Sequence, residues 1–138
     1  MAVGLSMSRM QIGELAEKAG VSHRTIHFYE RLGLVSPAER HGTGYRYYDD
    51  VSLKRLEKIG ALKRLGLSLE EIGEVIDLYF EDATGVKGKR RVLEILEGHL
   101  ASTRAKIAEL KTFEGELEAN VSRMRTLIAE ASGQSDAA

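Results

Sequence analysis

Between Gln11 and Tyr48 a helix-turn-helix pattern runs into a basic, aromatic hairpin pattern with hardly a residue between them. Ile12, Leu15, Ala16 and Ala19 recur at the spacing of one buried helical face, and Gly20 supplies the left-handed residue that ends such a helix. Ser22 follows as a natural N-cap for a second helix, Ser22 to Leu32, which Gly33 stops. That helix carries Arg24, His27, Phe28, Tyr29 and Arg31 around a core side of Val21, Ile26 and Leu32, so it is expected to show cations and aromatics outward. Beyond it, Gly42-Thr43-Gly44 separates two short runs with strand character. In such a hairpin, or wing, Arg40 and Arg46 come together near the tip and aim two guanidinium groups at one surface. Paired forks of that kind suit phosphate oxygens or a groove of negative potential.

Total charge is silent on this point, since 20 Lys+Arg face 21 Asp+Glu. Its distribution is not. From Ser22 to Gly66 nine basic residues stand against five acidic ones, a local balance of +4, and a polyanion responds to charge within a Debye length. Cysteine is absent, which excludes disulfides, thiolate metal sites and thiol redox switches within this sequence. No apolar run approaches the eighteen or so residues of a membrane span. No nucleophile–base pair, metal cluster or phosphate-cradling glycine loop is apparent, so an enzyme is not expected, nor a cofactor. His23 and His27 stand four apart as two metal ligands would, but no carboxylate or thiol at suitable spacing completes a site.

The segments Ile12-Gly13-Glu14-Leu15-Ala16, Val21 to Leu34 (Val-Ser-His-Arg-Thr-Ile-His-Phe-Tyr-Glu-Arg-Leu-Gly-Leu) and Gly44-Tyr45-Arg46-Tyr47-Tyr48 resemble the MerR family of bacterial transcription regulators. The resemblance continues through Asp50 to Leu65 and Gly66 to Ile72, covering roughly the first eighty residues closely and the rest by architecture. It departs at His27, where the family usually carries Arg, so base preference at that position does not carry over. The best-known short relatives sense metals or superoxide through Cys thiolates, which this sequence lacks.

The middle of the chain reads as two helices. Asp50 is expected to cap the first, in which Val51, Leu53, Leu56, Ile59, Leu62 and Leu65 recur and which Gly66 ends. Ser68 and Glu71 then form a capping box, and Leu69, Ile72, Val75, Ile76 and Tyr79 continue the second helix inward. By position in the family, Lys63 is the residue for a further phosphate contact, whereas Lys54, Lys58 and Arg64 read as a solvated helix face.

Residues 81–88 are polar and glycine-bearing and read as a linker. After them Leu96, Leu100, Thr103, Ile107, Leu110, Glu114, Leu117, Val121, Met124 and Ile128 step by four and then alternate three and four, with only Thr103 and Glu114 breaking an apolar stripe. A helix of that reach is roughly 60 Å long, and its stripe needs a partner, most simply the same helix of a second chain. The stripe itself leaves parallel and antiparallel pairing open; the resemblance implies antiparallel. Gly98 and Gly115 interrupt good helix formers, so tertiary contacts or a close helix approach are expected there.

The expectation is therefore a mainly α chain: a leader at 1–9, a winged helix-turn-helix DNA-binding domain at 10–80, a linker at 81–88, a coiled-coil dimerisation helix at 89–130 and a disordered tail at 131–138. The expected DNA-contacting set is Ser22, Arg24, Thr25, His27, Phe28, Tyr29, Arg40, Tyr45, Arg46 and Lys63, with Glu30 orienting Arg46 or Arg31. Leu96, Leu100, Thr103, Ile107, Leu110, Leu117, Val121, Met124 and Ile128 form the expected homodimer seam, and Tyr79, Phe80 and Phe113 a candidate effector pocket. The resemblance implies a cytoplasmic homodimer that binds and distorts an inverted-repeat promoter for RNA polymerase. The alternative is a non-regulatory architectural or segregation protein using the same DNA-binding element.

Overall fold

A computed structural model describes the backbone of residues 9–37, 39–41 and 45–137, and the side chains of these except 39–41, 45 and 134–137. The Gly-Thr-Gly turn and the leader before Arg9 lie outside the described residues. The chain divides into two units, 1–95 and 96–138.

In the first unit, α1 (Ile12–Ala19) ends at Gly20, whose φ of 71° is the left-handed value a glycine takes without a Cβ clash. The next helix, α2 (His23–Arg31), starts at Ser22, whose hydroxyl accepts from the Thr25 amide at 3.0 Å. Two expectations about α2 are corrected. Leu32, expected in the core, is 47% exposed, while Tyr29, expected outward, is buried at 5%. The bulkier ring takes the inward place beside Ile26, on the side where α1 packs.

Strands β1 (Glu39–His41) and β2 (Tyr45–Tyr47) pair antiparallel, with Arg40 opposite Arg46 as expected of the wing. Its base is closed by the start of the chain, because Met10 and Tyr48 exchange both backbone hydrogen bonds, at 2.9 and 2.8 Å, and both side chains are buried.

The cap of α3 (Asp50–Arg64) is Asp49, not Asp50: the Asp49 carboxylate accepts from the Ser52 amide at 3.2 Å. Leu56, Ile59 and Leu62 of α3 are core residues, whereas Val51 and Leu65 are exposed. The expected capping box is present at α4 (Leu69–Val75), with Ser68 and Glu71 satisfying each other's backbone donors. A short 3-10 helix, Ile76–Phe80, continues it.

The stretch expected as a linker, 81–88, holds a hydrogen-bonded turn and the first residues of the next helix. One Asp82 carboxylate oxygen accepts from the Thr84 amide, the Thr84 hydroxyl and the Gly85 amide, and the Thr84 hydroxyl in turn accepts from Val86. Polar composition here replaces backbone partners rather than loosening the chain. Helix α5 therefore starts at Val86, and it runs to Ala137, through the stretch expected to be a disordered tail. Within the first unit its Val92 and Ile95 are buried. In the second unit the described side chains from Leu100 onward are exposed within the single chain, Leu110 at 66%.

Candidate nucleic-acid interface

Arg24, His27, Phe28 and Arg31 recur at three and four residues on α2, which sets them on one face, and all are exposed. The opposite face is fixed by Ile26 and Tyr29 in the core. The Arg31 guanidinium lies 5.7 Å from the Phe28 ring centre, a cation held over an aromatic face. At the N-terminus of the helix, the Ser22 hydroxyl also donates to the Thr25 hydroxyl at 3.0 Å. The positive end of the α2 dipole and its capping hydroxyls thus lie beside the cations.

Glu30 joins this helix to the wing. Its Oε1 accepts from Arg46 Nη1 at 3.0 Å and lies 3.3 Å from His27 Nδ1, and its Oε2 accepts from the Tyr48 hydroxyl at 2.8 Å. The Glu30 side chain is only 11% exposed, so the Arg46 pair is better shielded from water than an ordinary surface ion pair. Burial first, then the hydrogen bond and charge of Glu30, push the Tyr48 phenol up to about 12. The expectation that Glu30 orients Arg46 is thus met, and Tyr48 is a third member that charge reasoning missed. Between α2 and β2, His27, Glu30, Arg31, Val35, Ser36, Pro37 and Arg46 line a hollow of about 370 Å3.

Arg40 stands across the ladder from Arg46 and Tyr45 across from His41, while their side chains lie outside those described. Lys63, exposed on α3, donates to the Tyr29 hydroxyl at 3.5 Å. The Tyr29 ring is buried, and its hydroxyl faces the exposed Lys63.

The local positive balance is not all available to a ligand. Arg55 donates from Nε to the Leu34 carbonyl at 2.7 Å, pairs with Asp77 at 2.9 Å and stacks over Phe80. It holds the segment after α2 against α3, as does the buried Ser52, whose hydroxyl donates to the Ser36 carbonyl. No local signal marks Arg55 in the sequence, because its partners are 21 and 22 residues away.

Of the candidate effector residues, Tyr79 and Phe80 line a hollow of about 380 Å3 within the first unit, together with Lys54, Lys58 and Lys89 among others. Burial raises the Tyr79 phenol above its ordinary value, and Lys58 Nζ lies 4.3 Å from the ring centre. Phe113 is on the second unit and is 53% exposed.

Residues 10–78 match the family model of the MerR helix-turn-helix regulatory proteins, and residues 53–119 match the MerR DNA-binding model. The chain belongs to the MerR family. Among its relatives, the nodulation protein NolA of Bradyrhizobium elkanii is 38% identical over 100 residues, which are 72% of this chain and 41% of that protein. This MerR-family chain therefore spans about two fifths of the length of that relative. In structure it is similar to the transcription regulator PbrR691 of Ralstonia metallidurans, solved with lead(II), at a TM-score of 0.63 and 35% identity over 78% of this chain and 81% of that one. It is also similar to HiNmlR, a MerR family regulator lacking the sensor domain and solved on promoter DNA, at a TM-score of 0.52 and 27% identity over 77% and 78% of the two chains. The winged helix-turn-helix of this chain is accordingly the DNA-binding domain of a MerR-family transcription regulator. Among the described residues no helix is long and apolar enough to cross a membrane.

Proposed function

We propose that this protein is a cytoplasmic regulator that binds an inverted-repeat promoter as a homodimer and distorts it for RNA polymerase. In this reading α2 enters the major groove with Arg24 and His27 nearest the base edges, Phe28 beside them, and Ser22 and Thr25 on the backbone. Arg46, with Arg40 and Tyr45 of the wing, holds flanking phosphates or the minor groove, and Lys63 takes a further phosphate. The second unit supplies the dimer through the stripe Leu96, Leu100, Thr103, Ile107, Leu110, Leu117, Val121, Met124 and Ile128, which is exposed from Leu100 onward.

The observation that carries the reading is the Glu30 bridge. A carboxylate would repel DNA on its own; hydrogen-bonded to Arg46 and beside His27, it ties helix α2 to the wing. Preorganised donors favour a particular duplex shape, which is what distortion of a promoter requires. Regulation then follows if an effector has different affinities for the two DNA-bound states.

The test is selection of bound sequences from a random duplex pool. The reading expects an inverted repeat with a fixed spacer; recovery without sequence preference and with a steep salt slope sinks it in favour of an architectural role.

A further inference from the structure

On α3, Lys54, Lys58 and Ala61 recur at four and three residues and share one face. That face, the Tyr79 and Phe80 rings, the turn at 83–85 and Lys89 of α5 line the hollow of about 380 Å3 in the first unit. We propose that this hollow binds a small aromatic carboxylate, with the ring of the ligand against Tyr79 and Phe80 and its carboxylate among the ammonium groups of Lys54, Lys58 and Lys89. The proposal is independent of the promoter and homodimer readings, since every residue it uses belongs to the first unit.

The anion follows from the charges. Three lysines stand against one acid, Glu57, around the hollow, and among the described residues none of the three is paired with a carboxylate. Lys58 Nζ instead lies 4.3 Å from the centre of the Tyr79 ring, and Lys89 donates to the Thr84 carbonyl at 3.1 Å. Each ammonium keeps donors to spare, and three positive charges about one hollow disfavour a cation there. The donor set for a metal ion is also missing, because among the described residues no three His, Cys, Asp or Glu side chains gather in one place.

The ring follows from the walls. Tyr79 is held by close packing, since a Cβ at Gly85 would lie 3.1 Å from its ring and one at Gly88 would run into it, and the Arg55 guanidinium sits 5.5 Å from the centre of the Phe80 ring. Aromatic surfaces already fixed beside cations suit a flat ring with a charged end, which packs against them without first having to order the wall. Duplex phosphates are the competing anion, and helix geometry turns the hollow away from them. Lys63, the α3 residue given a phosphate in the proposed function, follows Lys54 by about two and a half turns and so leaves the helix on the opposite side. Its ammonium meets the Tyr29 hydroxyl of α2, whereas the hollow is bounded by the 3-10 helix and the start of α5. A concave space of this size falls within the range of small-molecule pockets, roughly 300–1,000 Å3.

The probe is benzoate, titrated into the full chain at low salt and followed through the NMR signals of labelled tyrosine rings, those of Tyr79 being identified by their loss in Tyr79→Phe. Benzamide, benzylammonium and inorganic phosphate are the comparisons. Benzoate should move the Tyr79 signals and bind roughly tenfold more tightly than benzamide or phosphate, and benzylammonium should leave the signals in place. Lys58→Gln combined with Lys89→Gln should bring benzoate down to the affinity of benzamide. Ala83→Phe, a change at an exposed lining position, should block both ligands, with urea midpoints checking that each variant is folded. The comparison of the four ligands in the wild type decides the matter even where a variant unfolds. Unmoved Tyr79 signals, or equal binding of benzoate and benzamide, overturn the proposal; phosphate binding as tightly as benzoate overturns the aromatic class, because the site then answers to charge alone. Full benzoate affinity in the folded double lysine variant places the ligand elsewhere and does the same. If Lys54→Gln with Lys58→Gln flattens the salt dependence of duplex binding while benzoate leaves Tyr79 unmoved, the lysines serve DNA and the site falls.

Discussion

At Glu30 a single side chain decides how cations of two elements are offered to a polyanion. In the proposed reading Arg46→Ala removes one phosphate-directed charge, and binding should weaken across all duplex sequences with the salt slope falling by about 1. It also leaves Glu30 facing the duplex without its strongest counter-charge. Adding Glu30→Gln to Arg46→Ala should therefore recover part of the lost affinity; equal loss in single and double variants, measured by fluorescence anisotropy against salt, contradicts the bridge. Tyr48 gives the same cluster a signature in stability. Its pKa in the fold is about 12 against an ordinary 10.0, so the folded state favours the protonated phenol. The stabilisation is fully present below pH 10 and is lost as pH rises through 12, by roughly 2–3 kcal/mol. Urea titrations should show that decline in the wild type relative to Tyr48→Phe, and parallel curves for the two would rule it out. Charge complementarity made the Glu30–Arg46 pair legible from residue types alone, since a lone acid among cations needs a reason. Tyr48 was not legible, because nothing local says which of several tyrosines is enclosed by Met10 and the wing.

Elements whose ends are set by neighbouring residues were read correctly: the left-handed Gly20, the Ser22 cap and the Ser68–Glu71 box all act within one turn of chain. What failed was choosing between faces. Tyr29 and Leu32 exchange roles because the inward side of α2 is set by α1 and the core, which periodicity over nine residues fixes poorly. In the 81–88 stretch composition alone did not show the turn: Asp82 and Thr84 bond the backbone just before α5. Glycine there is a packing requirement, since a Cβ on Gly88 would come within 2.4 Å of the Tyr79 ring. Gly88→Ala should cost about 1–3 kcal/mol in chemical denaturation, and an unchanged midpoint would contradict this packing. Gly98 and Gly115 differ. Among the described residues nothing lies within 4 Å of a Cβ built at either, so of the two expectations, tertiary contacts or a close helix approach, the single chain makes no contact there, and both glycines lie off the stripe from Leu96 to Ile128. Alanine at each should stabilise α5 by up to about 1 kcal/mol, and a loss of stability would mean that a second copy approaches there.

For the whole molecule, the second unit offers side chains that are exposed from Leu100 onward among the described residues, and in the proposed reading the first supplies one half of a two-fold DNA surface. Leu110→Asp puts a carboxylate in the middle of the proposed dimer stripe. It should give a folded monomer by sedimentation whose affinity for an inverted repeat falls towards its affinity for unrelated duplex. Family membership and the winged element were legible because their residues sit close together in sequence. In the second unit the stripe of apolar residues was legible, and in the proposed reading it calls for a partner without saying how that partner lies. The most direct measurement is the stoichiometry of the complex with a selected inverted-repeat duplex, by analytical ultracentrifugation at low and moderate salt. Two chains per duplex, with affinity falling steeply as salt rises, is the predicted result. A folded single chain that ignores double-stranded DNA at low salt would contradict the account.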